Sequence, residues 1–133
     1  MRILIVGAGG RLGAALVREF DGKFQVTGLN RTQLDLSDLG AVREKLGNSG
    51  FDVLINAAGF TKVDLCETQP DRAFLINAEA PRVLAEICGE KSFRLIHFSS
   101  RRKKCAGCAR PESRSPRLLG FWTGSSEFYR CND

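Results

Sequence analysis

The sequence predicts an α/β domain built on a doubly wound parallel sheet of about four strands, followed by an irregular basic tail. Over residues 1–100, short β-branched runs alternate with segments of helical periodicity, a pattern typical of right-handed crossovers with helices on both faces of a sheet. A glycine-rich segment separates the first strand from the first helix. The 133 residues allow one such core.

The first half of the domain contains two strands and two helices. The first strand, Arg2–Val6, is a β-branched run that ends at a glycine, as expected for a strand buried on both faces. Apolar residues at helical spacing predict a helix that ends near Phe20. A second strand is predicted at Phe24–Leu29. A second helix follows at Leu39–Leu46, with Asp38 placed near its positive end.

The second half contains two more strands and a helix with an internal break. The third strand is predicted at Asp52–Asn56, and Asp71–Cys88 has helical periodicity. Because Pro81 cannot lie inside an unbroken helix, we expect a kink or a restart near Asn77. The fourth strand is predicted at Phe93–Phe98.

The last quarter of the chain differs in composition from the rest. Residues 1–100 carry 12 basic and 12 acidic side chains, whereas residues 101–133 carry 8 and 3, so the tail holds the whole net charge of +5. Hydrophobic periodicity is lost in the same segment. We therefore predict a patterned domain over residues 1–100 and a disordered basic tail over residues 101–133.

Composition also bears on the location of the protein. No apolar run approaches the ~20 residues of a membrane span, and the first strand is too short for a signal-peptide core. Five cysteines, an odd number without an export signal, argue against a disulfide framework. We expect a cytoplasmic protein that binds no membrane.

Glycines between the first strand and the first helix indicate a phosphate-binding loop. Gly7 permits a tight turn, Gly10 lets the backbone approach a pyrophosphate, and Gly13 lets the helix pack against the strand. Free amides at the helix start, around Arg11 and Leu12, then face the phosphates. The pattern predicts a Rossmann-type dinucleotide-binding domain. A plain glycine turn in a flavodoxin-like protein is the alternative.

The end of the second strand bears on the choice of cofactor. NAD-binding domains of this type place an acid there, which holds the ribose 2′-hydroxyl. This chain has Asn30 and Arg31 instead. Because no carboxylate repels a 2′-phosphate and an arginine can hold one, NADP(H) is favoured, with NAD(H) as the alternative. Arg31 could also be a solvated surface charge.

Several motifs carry a family resemblance. The spacing of Gly7, Gly10 and Gly13, together with Asn56–Gly59, resembles the extended short-chain dehydrogenase/reductases. Residues 34–38, 55–64, 67, 77–81 and 97–100 are similar to motifs of the dTDP-4-dehydrorhamnose reductase-like members, so the resemblance covers residues 1–100 almost without a gap. It implies an NAD(P)-dependent oxidoreductase of dTDP-L-rhamnose biosynthesis, acting on a nucleotide-linked 4-keto-6-deoxysugar.

The same resemblance implies roles for individual residues. Asp35 and Leu36 would flank the adenine of a bound dinucleotide. Ala58, Gly59 and Phe60 would line the cofactor beyond the third strand. A homodimer is compatible with the resemblance. In the strand order of this family the fourth strand is internal, so we expect its outer edge to lack a partner here.

The catalytic part of the family pattern breaks off within a motif. Ser100 stands at the position of the hydroxyl that orients the substrate, but Arg101–Lys104 replaces the loop that follows. The family uses a Tyr-x-x-x-Lys pair, in which the lysine lowers the pKa of the proton-donating tyrosine. Here the single tyrosine is Tyr129, and Asp133 stands four residues later. We hypothesise that residues 101–133 are an out-of-frame tail on a truncated, inactive reductase.

Other interpretations concern the tail and the function. Cys105 and Cys108 have the spacing of a zinc or redox site, for which Cys131 and His97 are the remaining candidate ligands. The basic residues could contact nucleic-acid phosphates. We predict neither metal binding nor specific nucleic-acid binding, and we predict that His97 is packed rather than catalytic. The alternatives for function are a non-catalytic dinucleotide-binding or regulatory module, and another sugar-nucleotide reductase or epimerase.

Overall fold

The computed structural model describes residues 1–98, 120–123 and 127–130. Its strands are β1 (Arg2–Val6), β2 (Gln25–Leu29), β3 (Val53–Asn56), β4 (Arg94–His97), β5 (Gly120–Thr123) and β6 (Glu127–Arg130). They form one sheet in the order β2-β1-β3-β4-β5-β6. The first four strands run parallel. The predicted four-stranded parallel sheet is therefore confirmed, with strand ends that differ from the prediction by one residue at most.

Helices connect the parallel strands. They are α1 (Arg11–Phe20), α2 (Leu39–Gly47), α3 (Val63–Thr68), α4 (Pro70–Phe74) and α5 (Ala80–Glu90), with a π-helical turn at Leu75–Glu79 between the last two. The short helix α3 was not predicted. In the described part of the chain no helix is long and apolar enough to cross a membrane.

The break expected near Asn77 is the π-helical turn. Pro81 has no amide hydrogen, so it cannot donate to the carbonyl of Asn77, four residues earlier. The helix widens at this place and continues as α5. The predicted interruption is confirmed, and it changes the direction in which the side chain of Asn77 projects from the helix.

The core lies on both faces of the sheet. Leu4, Leu54 and Leu95 are neighbours in register and belong to the cluster that also includes apolar residues of α2 and α5. Ile5 and Ile55, on the opposite face, pack with apolar residues of α1. Both faces are covered because the β-branched strands are apolar on both sides.

Strands β5 and β6 lie in the segment for which the sequence predicted an irregular tail. They are antiparallel, and β5 pairs with β4 at Leu95↔Trp122 and Ile96↔Phe121. The outer edge of β4 therefore has a partner, and the expectation that it lacks one is wrong. The composition is consistent with a hairpin, since aromatic residues flank the Gly-Ser-Ser at residues 124–126.

Candidate functional site

A cleft of about 410 Å³ opens at the carboxyl ends of β1, β2 and β3. We call it the main cleft. Strand β1 pairs with β2 on one side and β3 on the other, and ligands of open α/β sheets bind at such a switch in strand order. The predicted cofactor residues that line it are Gly7, Gly10, Asn30, Arg31, Asp35, Leu36, Ala58, Gly59 and Phe60.

The glycine loop brings α1 close to β1. Gly7 has a φ of +83°, and a Cβ there would lie 2.7 Å from the backbone nitrogen of Ala58. A Cβ on Gly13 would lie 2.1 Å from the carbonyl oxygen of Gly7, too close for any side chain. Gly10 donates its amide to the same oxygen at 3.0 Å. The loop can therefore exist only with glycine at positions 7 and 13.

The start of α1 has the properties of an anion site. Gly10 caps the helix without a side-chain hydrogen bond, and the first turn contains no acidic residue. In α2, by contrast, the Asp38 carboxylate accepts from the amide of Ala41 at 3.0 Å. The positive end of α1 is thus uncompensated by side chains where it meets the main cleft, which fits a phosphate group. Arg11 and Gly13, which were also predicted to bind the cofactor, are not among the residues that line the main cleft.

Asn30 organises the turn after β2. Its Oδ1 accepts hydrogen bonds from the amide of Thr32 at 3.0 Å, the hydroxyl of Thr32 at 2.7 Å and the amide of Gln33 at 3.1 Å. The side-chain oxygen is therefore engaged in the turn. Asn30 lines the main cleft itself, and its side-chain oxygen also holds the turn that forms the adjoining wall.

Arg31 and Asp35 form an ion pair at the edge of the main cleft, with 3.4 Å between Nε and Oδ2. The other carboxylate oxygen of Asp35 accepts from the amide and the hydroxyl of Ser37, at 2.9 and 2.7 Å. These Ser37 hydrogen bonds, with a smaller contribution from Arg31, lower the pKa of Asp35. Both carboxylate oxygens of Asp35 are engaged, whereas Nη1 and Nη2 of Arg31 donate to no acceptor among the described residues.

A second cleft of about 380 Å³, the side cleft, adjoins the main cleft through residues Ala57–Gly59. Its lining residues are Leu12, Ala57, Ala58, Gly59, Thr61, Asn77, His97 and Phe98. It lies toward β4, on the opposite side of β1 from the Arg31 end. Of the residues predicted for the cofactor, Leu12, Ala58 and Gly59 face it. Its remaining members were not predicted as site residues.

Asn77 joins the π-helical turn to the loop after β3. Its Oδ1 accepts from the amide of Phe60 at 2.8 Å, and its Nδ2 donates to the carbonyl of Phe60 at 2.9 Å. These two bonds position the loop that forms the boundary between the clefts. The helix break near Asn77 was predicted from the sequence, whereas the contact between Asn77 and Phe60 was not.

Asn56 is completely buried at the end of β3. Its Oδ1 accepts from the amide of Ala58 at 3.0 Å, and its Nδ2 lies 3.1 Å from Nδ1 of His97. Burial lowers the pKa of His97. One edge of the His97 ring is packed against Asn56, as predicted. The residue also lines the side cleft, which was not predicted.

Some predicted residues lie outside the described part of the chain. These are Ser100, Cys105, Cys108 and Cys131. Within residues 1–98, no three His, Cys, Asp or Glu side chains come together in a way that could hold a metal ion. Cys88 is buried among apolar side chains, and this burial raises its pKa to about 12.

Comparison with known proteins decides the family. The sequence family described as "RmlD substrate binding domain" matches residues 1–102. The chain belongs to this family. This match confirms the family that the sequence motifs indicated. All residues that line the main cleft lie within the matched segment.

The RmlD-family chain is similar to reductases of two bacteria. It is 41% identical over 100 residues to dTDP-4-dehydrorhamnose reductase of Mycolicibacterium smegmatis, covering 74% of this chain and 30% of that protein. It is 40% identical over 102 residues to the probable dTDP-4,6-dihydroxy-2-methyloxan-3-one 4-ketoreductase of Streptomyces antibioticus, covering 75% and 35%. The chain therefore spans about a third of the length of these relatives.

A solved structure supports the same family. The Bacillus anthracis dTDP-4-dehydrorhamnose reductase, crystallised in complex with NADP, superposes with a TM-score of 0.65 at 28% identity, covering 71% of this chain and 34% of that one. This similarity confirms the Rossmann-type fold.

Proposed function

We propose that residues 1–98 form the NADP(H)-binding part of a reductase of nucleotide-linked 4-keto-6-deoxysugars, of the dTDP-4-dehydrorhamnose reductase type. The observation that supports the proposal is the main cleft, where a helix start without a side-chain cap and the free edge of the Arg31 guanidinium are available to the pyrophosphate and the 2′-phosphate of a dinucleotide. The names of the relatives supply the substrate class.

The residues of the main cleft have separate tasks in this proposal. Amides at the start of α1 bind the pyrophosphate, which Gly7 and Gly10 allow to approach the backbone. Leu36 and Phe60 provide apolar walls for the adenine. Asp35 holds Arg31 through Nε, which leaves the terminal nitrogens of the guanidinium for the 2′-phosphate.

The carboxylate of Asp35 also bears on the choice between the two dinucleotides. A carboxylate that binds the ribose of NAD must have an oxygen available for the 2′-hydroxyl. The oxygens of Asp35 are engaged by Ser37 and Arg31. NADP(H) is therefore the better fit for this end of the cleft.

When bound, NADPH supplies the hydride for reduction of the keto group. Ser100, three residues beyond β4, is the proposed hydroxyl that orients the substrate. No Tyr-x-x-x-Lys pair occurs within these 133 residues, since the single tyrosine is Tyr129 and position 133 is Asp. We infer that the 133-residue chain binds NADPH without catalysing reduction. An assay with NADPH and a dTDP-linked 4-keto-6-deoxysugar is expected to show no turnover, and turnover at a rate typical of enzymes would overturn this inference.

Arg31→Ala is expected to weaken NADPH binding by about 10- to 100-fold, because a charge-assisted hydrogen bond contributes roughly 1.5–3 kcal/mol. NADH binding should stay within about twofold of the wild type, since NADH has no 2′-phosphate. Isothermal titration with both dinucleotides measures the difference.

Arg82→Ala is the matched control for this experiment. It removes the same charge from α5, where Arg82 pairs with Glu79 and Glu86 and lines neither cleft. NADPH affinity should be unchanged in that variant. Equal loss of NADPH and NADH affinity in Arg31→Ala would show that Arg31 does not recognise the 2′-phosphate.

A further inference from the structure

His97 is the single histidine of the chain and lies where β4 reaches the side cleft. It is the register neighbour of Asn56 on β3, so both side chains emerge on the same face of the sheet. Asn56 is completely buried and contacts Ala58 and His97 at once. The fold therefore holds the Asn56 amide in one orientation against one edge of the His97 imidazole.

The contacts of Asn56 determine the tautomer of His97. The amide of Ala58 can only donate, so the atom of Asn56 facing it at 3.0 Å is the oxygen. The Nδ2 group of Asn56 then faces His97 at 3.1 Å, and an amide NH₂ is a donor only. Nδ1 of His97 must accept this hydrogen bond. In the neutral ring the proton is consequently on Nε2.

The protonated edge of the ring has no hydrogen-bond partner in the described part of the chain. No hydrogen bond to Nε2 of His97 exists among residues 1–98, and no fully buried side-chain nitrogen or oxygen in that range lacks a partner. Nε2 is therefore accessible rather than sealed in the core. Because His97 lines the side cleft, its accessible donor opens into that cleft.

The side cleft is suited to an uncharged part of a ligand. Apart from His97, its lining contains no titratable side chain. Burial lowers the pKa of His97, which favours the neutral ring. Protonation at Nδ1 would also replace the hydrogen bond from Asn56 by two donors facing each other.

We propose that Nε2–H of His97 donates a hydrogen bond to an uncharged oxygen of the nicotinamide mononucleotide half of the bound dinucleotide, either a ribose hydroxyl or the carboxamide. This proposal rests on the proposed function. If Arg31 marks the adenine half and the start of α1 the pyrophosphate, the second half of the dinucleotide extends across the crevice toward β4. The side cleft adjoins the main cleft in that direction.

Two substitutions separate the edges of the ring. Asparagine at position 97 places an amide near the site of Nδ1, whereas glutamine places one near the site of Nε2. His97→Asn therefore retains a group that can face Asn56 but loses the donor into the side cleft. We expect it to weaken NADPH binding by about 5- to 10-fold, which lies in the upper part of the range for one neutral hydrogen bond. His97→Gln should bind NADPH within about threefold of the wild type.

Fragments of the dinucleotide identify the acceptor. 2′,5′-ADP contains the adenine half only, so both variants should bind it like the wild type. A loss by His97→Asn for both NADPH and 2′-phospho-ADP-ribose supports a ribose hydroxyl as acceptor, and a loss for NADPH alone supports the carboxamide. Wild-type affinity of His97→Asn for NADPH would overturn this inference alone. Failure of the wild-type chain to bind 2′,5′-ADP would overturn the proposed function and this inference with it.

The tautomer can be observed directly because the chain has one histidine. Imidazole ¹⁵N spectra at neutral pH should show Nδ1 unprotonated and Nε2 protonated, and NADPH should shift the Nε2 resonance. In Asn56→Ala the preference for one tautomer should be reduced. A ring protonated at Nδ1 in the wild type, or an Nε2 resonance indifferent to saturating NADPH, would contradict the assignment.

Discussion

Gly13→Ala is expected to lower the free energy of unfolding by about 3 kcal/mol or more and to abolish NADPH binding. The added Cβ would lie 2.1 Å from the carbonyl oxygen of Gly7, 2.7 Å from its carbonyl carbon and 2.8 Å from Cα of Ala8. All three are backbone atoms, so no side-chain rotation relieves the overlap. Helix α1 would have to move away from β1, and its amides would leave the edge of the main cleft.

The matched control is Gly47→Ala at the end of α2, where an added Cβ would meet no atom within 4 Å. That variant should be unchanged or up to about 1 kcal/mol more stable, since alanine has the higher helix propensity. Urea unfolding and NADPH titration of both variants make the comparison. A Gly13→Ala chain that unfolds at the wild-type urea concentration would contradict the close packing of α1 on the loop.

Asn56→Leu is expected to lower the free energy of unfolding by about 2–4 kcal/mol, although leucine has a similar volume and is apolar. The substitution leaves the amide of Ala58 and Nδ1 of His97 without partners in a buried region. Each unsatisfied group costs about 1–3 kcal/mol, which exceeds the gain from burying the leucine side chain. Urea unfolding measures the change.

Asn48→Leu serves as its control. Asn48 caps the end of α2 through its backbone, and its side chain makes no hydrogen bond among residues 1–98. Its replacement should change stability by less than about 0.5 kcal/mol. Amide exchange at Ala58 adds a local measurement, and it should become faster in Asn56→Leu. Unchanged stability together with unchanged exchange would show that the two hydrogen bonds are not formed.

The parallel part of the fold was predictable because its signals are local. Each buried parallel strand is a short run such as Arg2–Val6, and a run of this kind can be recognised without knowledge of its partners. The break at Asn77 was predictable for the same reason, since Pro81 removes a hydrogen bond four residues away. The spacing of Gly7 and Gly13 likewise indicated a close approach of helix and strand.

The candidate site was predictable only in part. Gly7, Gly10 and Arg31 line the main cleft as expected, and the side cleft was not foreseen. The cofactor contact of Asn30 stays a prediction: the residue lines the main cleft, and its side-chain oxygen is engaged in the turn after β2. The hairpin of β5 and β6 was also missed, because its pairing with β4 depends on a strand more than twenty residues earlier.

The sequence by itself determined the four parallel strands, the glycine loop and the family, because strand propensity and glycine sterics act over a few neighbouring residues. Tertiary structure alone decided what Asn56 and His97 do. These residues are 41 positions apart, and they meet because β3 and β4 pair in one particular register. A shift of one residue would turn either side chain to the other face of the sheet. The donor that faces the side cleft is therefore a consequence of strand register.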